Sequence, residues 1–169
     1  METTKYFVRA ILLGLGLLAF SPAQAVNGGY FGFNAGSTDD EVLDETDSGF
    51  RLVLGAQPNE YFGYEIAFVN LGDYVDGYVS QYGVSFDLIG YIPVTDSFSI
   101  FGKAGLFSWT FEVDAGFYGT LEETGSDSFI GFGAQFNTSD KVAIIVETAT
   151  YEVFDGDVSL VSAGVKIGF

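Results

Sequence analysis

Val161-Ser162-Ala163-Gly164-Val165-Lys166-Ile167-Gly168-Phe169 closes the chain, and its reading decides the fold. Side chains of a β-strand point alternately to opposite faces. Val161, Ala163, Val165, Ile167 and Phe169 therefore share one face. Ser162, Gly164, Lys166 and Gly168 share the other. One wall is oily and the other is small or charged. A strand that meets lipid on one side and a polar lumen on the other is written this way.

Working back from that segment, the alternation predicts seven more strands. They cover Tyr30 to Ser37, Gly49 to Ala56, Tyr61 to Leu71, Val79 to Tyr91, Phe98 to Phe111, Phe129 to Asn137 and Lys141 to Tyr151, with Val158 to Phe169 as the eighth. The outward positions are apolar: Phe31 and Phe33, Leu52 and Leu54, Ile66 and Phe68, Phe86 and Leu88, Ile100 and Leu106, Ile130 and Phe132, Ile144 and Val146. The inward set holds Asn34, Arg51, Gly55, Glu65, Ser85, Asp87, Lys103, Gly131, Gly133, Gln135, Glu147 and Lys166. A soluble ligand-binding barrel needs an apolar interior and a polar exterior. This chain is the reverse. The fold class expected is all-β, an eight-stranded antiparallel up-and-down transmembrane β-barrel preceded by a cleaved signal peptide.

The N-terminus agrees. Lys5 and Arg9 precede an apolar run from Ala10 to Phe20, followed by Ala23-Gln24-Ala25. A basic start, a short apolar stretch and a small-x-small site make a secretory signal peptide. The run is too short for a helix crossing a ~30 Å hydrocarbon core. Residues 1–25 are expected to be removed, leaving residues 26–169 as one barrel domain. Both termini of an even-stranded barrel lie in the periplasm.

Connections alternate between short and long. Gln57 to Glu60, Pro93 to Ser97 and Asn137 to Asp140 read as tight turns, with Pro58 and Pro93 inside them, where a missing N–H costs least. Thr38 to Ser48 and Glu112 to Ser128 read as long acidic loops. Short periplasmic turns and long outer loops are usual for such barrels.

Composition narrows the function. Without Glu2, Lys5 and Arg9 the chain has 22 carboxylates against 4 basic residues, a net charge of -18. Nucleic acid is excluded as a partner, since phosphates require basic patches. There is no cysteine, which removes disulfides, thiol catalysis and thiolate metal sites. There is no histidine, so a Ser-His hydrolase lacks its base. The loop acids match no calcium-loop spacing. No catalytic residue, metal site or cofactor is expected.

Several short motifs resemble the transmembrane domain of the outer membrane protein A family and its small stand-alone relatives, the porin-family and opacity-like barrels. They are Gly29-Tyr30-Phe31-Gly32-Phe33-Asn34-Ala35-Gly36, Gly63-Tyr64-Glu65 with Leu71-Gly72, and Tyr91-Ile92-Pro93-Val94-Thr95-Asp96 followed by Ser99-Ile100-Phe101-Gly102-Lys103-Ala104-Gly105. Gly164 to Phe169 resembles that family's last strand. The resemblance implies a bacterial outer-membrane location, with lipid and lipopolysaccharide as surroundings. It implies that Phe169 is part of the signal read by the barrel-assembly machinery. It also implies a lumenal salt-bridge network, matched most closely by Glu65, Glu147 and Lys166. The soluble cell-wall-binding domain of the prototype has no counterpart in this sequence, so cell-wall anchoring is not carried over.

Three of the four remaining basic residues point inward. Folding each hairpin about its apparent turn sets Arg51 opposite Glu65, Asp87 opposite Lys103 and Glu147 opposite Lys166. Same-face cross-strand partners lie within contact distance. These six residues are the expected lumenal charge pairs, structural or gating. The functional expectation is a non-enzymatic barrel with a structural or surface-recognition role, its acidic loops meeting an extracellular ligand or host surface. The alternative is a narrow porin passing small solutes or ions.

Overall fold

The computed structural model describes residues 28–41, 43, 45–74, 78–114, 119–153 and 156–169. The segment expected to be a signal peptide, residues 1–25, lies outside the described residues. Eight strands follow in order: β1 (Gly29–Asp40), β2 (Glu45–Asn59), β3 (Phe62–Tyr74), β4 (Val79–Thr95), β5 (Phe98–Asp114), β6 (Thr120–Asn137), β7 (Val142–Val153) and β8 (Gly156–Gly168). Each pairs antiparallel with the next, and β1 pairs with β8, so the sheet closes into a barrel. Closure leaves the wall no free edge in the apolar region, which a membrane-spanning sheet requires.

The predicted inside-outside phase is the observed one. Phe31, Leu52, Phe86, Leu106, Ile130, Phe132, Ile144, Val146, Val161 and Ile167 are exposed on the outer wall. Asn34, Arg51, Glu65, Asp87, Lys103, Gln135, Glu147 and Lys166 are buried in the lumen. Phe169 ends at the closing seam. Its N–H donates to the Gly29 carbonyl at 3.0 Å, and its ring lies 5.0 Å from that of Phe31.

Three expectations are corrected. The strands run further at the outer end than the apolar alternation reached. Thr38 to Ser48 is mostly the top of the β1–β2 hairpin, and Glu112 to Ser128 is mostly the top of the β5–β6 hairpin. Above the lipid both faces meet water, so the oily stripe stops while the hydrogen-bonded ladder continues. The prolines are not in the turns. Pro58 and Pro93 lie within β2 and β4, where the register shifts, and the turns fall at Glu60–Tyr61 and Asp96–Ser97. An irregular position tolerates the missing donor. Third, the cross-strand partners differ, because misplaced turns displace the register: Arg51 faces Val69, Asp87 faces Gly105, and Glu147 faces Ser162.

Candidate functional site: the lumenal charge layer and the acidic outer rim

All six expected lumenal charges meet at mid-height, but as one network rather than three hairpin pairs. Arg51 comes from β2, Glu65 from β3, Asp87 from β4, Lys103 from β5, Glu147 from β7 and Lys166 from β8. Strands tilt in a barrel, so side chains meet across the lumen rather than along one hairpin. The Arg51 guanidinium donates from Nη1 to Glu147 Oε1 at 2.5 Å and from Nη2 to Asp87 Oδ2. Its Nη2 also lies 3.6 Å from Glu65 Oε2. Lys103 Nζ lies 2.6 Å from Glu147 Oε2, with Glu65 and Asp87 at 3.8 and 4.0 Å. Lys166 Nζ lies 2.9 Å from Glu65 Oε1. The partner expected for Lys166, Glu147, is instead shared by Arg51 and Lys103.

Three cations and three carboxylates give a layer with no net formal charge. This balance is what allows it to be buried: an unpaired charge in so dry a place would cost several kcal/mol. Arg51 and Asp87 are both 0% exposed.

Aromatic residues complete the layer, and the charge-based reading passed over them. Tyr30 donates its hydroxyl to Glu65 Oε1 at 2.7 Å. Lys166 donates to the Tyr91 hydroxyl at 3.1 Å and lies 4.6 Å from the centre of the Tyr30 ring and 5.7 Å from that of Phe101. An ammonium over aromatic faces gains further electrostatic stabilisation. Strand parity would have found all three rings, since each shares its face with a named lumenal residue.

Apolar side chains pack on both sides of the layer. Toward the outer end Val69, Leu71, Phe107, Trp109, Phe129, Tyr151 and Leu160 pack together. Toward the periplasmic turns Ile89, Tyr91, Phe101, Ala143 and Ile145 form a second cluster. The lumen is thus filled through its middle, as expected for eight strands. Below the second cluster the periplasmic mouth opens into a polar cavity of about 650 Å³, lined in part by Gln57, Ser99 and Asn137.

Charge is segregated along the barrel axis. Of the basic residues after residue 25, Arg51, Lys103 and Lys166 are in the lumen and Lys141 is beside the turn at Thr138–Asp140. The outer end carries only acids, among them Asp39, Glu45, Asp47, Asp73, Glu112, Glu122, Glu123, Asp127, Glu152 and Asp157.

The family model for the outer membrane protein beta-barrel domain matches residues 10–169, and the chain belongs to that family. This gives it a bacterial outer-membrane location. Among solved structures, Neisserial surface protein A is similar at 15% identity and a TM-score of 0.69, covering 88% of this chain and 100% of that one. The N-terminal β-barrel domain of Pseudomonas aeruginosa OprF is similar at 13% identity and a TM-score of 0.62, covering 87% and 100%. Ail, the attachment invasion locus protein of Yersinia pestis, solved with the heparin analogue sucrose octasulfate, is similar at 17% identity and a TM-score of 0.57, covering 82% and 95%. No curated protein matches the chain. At these identities the likeness is one of fold.

Proposed function

We propose that this protein is a non-enzymatic, non-conducting outer-membrane barrel that works as an anchored surface-recognition protein. The observation that supports this reading is the packing of the lumen: a neutral six-charge layer, its members at most 8% exposed, lies between two apolar clusters. The same six residues then have a structural role, tying six strands together across the interior. With transport set aside, the chemistry available to the outside is the acidic rim. The Ail structure holds a polyanion. The rim of this chain would repel such a ligand and attract cationic surfaces, since complementary charge steers encounter.

The narrow-porin reading draws support from the polar cavity at the periplasmic mouth, which would serve as a vestibule. Planar-bilayer recording decides between the two. Purified protein should show no steady open-channel current, and its binding to surfaces should rise with their positive charge and fall with salt. Large, stable unitary currents from the unmodified protein would refute the sealed-lumen reading. Equal binding to anionic and cationic surfaces would refute recognition through the rim.

A further inference from the structure

Among the described residues, the longest strand edge left unpaired lies above the membrane, on β6. β6 pairs with β5 along its whole length, from Asp114 opposite Thr120 to Phe98 opposite Phe136. On its other side β7 begins only at Phe129 opposite Tyr151. Among the described residues, Thr120 to Ser128 is therefore a strand with a neighbour on one side, about 30 Å long at the usual rise per residue. It is not a loose hairpin. β4 supports β5 as far as Val79 opposite Val113, and β3 supports β4 as far as Tyr74 opposite Val79, so the projecting piece is the edge of a four-stranded sheet.

Open edges in native proteins are normally blunted by proline, a bulge or charged side chains, lysine above all. This one, Thr-Leu-Glu-Glu-Thr-Gly-Ser-Asp-Ser, has no proline and a continuous register against β5, and its charges are all acidic, so they discourage a like edge but not a basic one. It is also held extended in advance. Trp109 on β5 packs over Gly125, where a Cβ would collide with the indole. The same indole donates to Asp127 Oδ2 at 2.8 Å. An edge already straight costs less to pair than one that must be ordered.

We propose that Thr120 to Ser128 is a docking edge that takes an extended basic polypeptide as an added β-strand. This rests on the surface-recognition reading and names its partner class. Charge selects the occupant. The edge carries Glu122, Glu123 and Asp127, and Glu122 stands directly opposite Glu112. Like charges directly opposed are destabilising. A Lys or Arg side chain from an added strand would relieve that repulsion. A second copy of this chain would worsen it, because its outer end offers no basic residue. Backbone hydrogen bonds to the edge would supply affinity and alternate side chains the selectivity, as in other strand additions.

The test uses the full barrel in zwitterionic phospholipid nanodiscs and a synthetic ten-residue peptide of alternating Lys and Thr. Hydrogen exchange should show alternate amides within 120–128 protected on adding peptide. The same peptide N-methylated at every residue, which keeps its charge but loses the donors of both edges, should give no such protection. Glu122→Gln with Glu123→Gln should weaken binding about tenfold, with the barrel still migrating as a folded species before boiling. Equal binding of the N-methylated peptide, or protection elsewhere on the rim, would overturn strand addition while leaving surface recognition standing. Absence of binding by either peptide would overturn both readings. Self-association of the barrel through 120–128 without peptide would overturn the choice of occupant.

Discussion

Replacing Arg51 with Met should cost more stability than the loss of any other single charge in the lumen. The Arg51 side chain is wholly buried and reaches Glu147, Asp87 and Glu65. Methionine fills part of the space but leaves two cations against three carboxylates. Removing one partner of a fully buried ionic cluster typically costs about 3–5 kcal/mol. That should shift urea unfolding in lipid vesicles by one to several molar, taking a slope near 1–3 kcal/mol per molar. Adding Asp87→Leu restores two against two. The double variant should therefore be more stable than Arg51→Met alone, with a coupling energy of about 1–3 kcal/mol. The same cycle on Glu65 and Lys166, 2.9 Å apart, should also show coupling. A cycle on Glu147 and Lys166, which make no direct ion pair, should show clearly less. Additive losses for Arg51 with Asp87, or equal coupling for the Glu147–Lys166 and Glu65–Lys166 cycles, would refute the network as described.

Phe132→Arg and Ile144→Arg place a charge on the outer wall and should each cost about 2–4 kcal/mol near the bilayer midplane, read by refolding titrations; neutral outcomes would reverse the assignment of faces. Gly133→Val should block folding, because even a Cβ there would sit 2.7 Å from the Phe101 ring. Gly90→Ala, at a position with open space around it, should stay within about 0.5 kcal/mol of the natural protein. Trp109→Phe removes the hydrogen bond to Asp127. It should cost about 1 kcal/mol locally, seen as faster amide exchange in 120–128 with the global unfolding midpoint nearly unchanged.

Which residues face lipid and which face the lumen was legible in the sequence, because a period of two survives wherever one side of the strand is lipid. Phe132 and Gly133, or Lys166 and Ile167, declare their faces without any neighbour being known. What lay beyond reach was anything set by register. Pro58 looked like a turn because it lacks an N–H, yet it sits in β2 and the turn falls two residues later. That displacement moved the expected partner of Arg51 from Val69 to Glu65. The outer ends of β5 and β6 were hidden for a different reason. Residues such as Glu122, Glu123 and Thr124 are wet on both faces, so no alternation marks them as a strand. The rings around Lys166 carry no charge to draw attention. They become visible only when Tyr30, Tyr91 and Phe101 are placed on the lumenal face by parity.

The register itself has a physical determinant in the charge layer. A slip of one residue would turn every outward Phe or Ile into the lumen, and the lipid forbids it. A slip of two residues keeps every face correct, so the oily stripe does not oppose it. Such a slip moves a side chain about 7 Å along the strand, well beyond the 2.5–4.0 Å contacts that satisfy these charges. If β2 slipped by two, Arg51 would leave three carboxylates behind and enter an apolar layer. If β8 slipped by two, Lys166 would leave Glu65 and the Tyr91 hydroxyl together. The apolar wall thus fixes the phase of each strand, and the buried charges fix its height. Because the six charges come from six different strands, one error of height leaves several groups unpaired at once. That shared dependence is a physical reason for burying so many ions in the lumen of one small barrel.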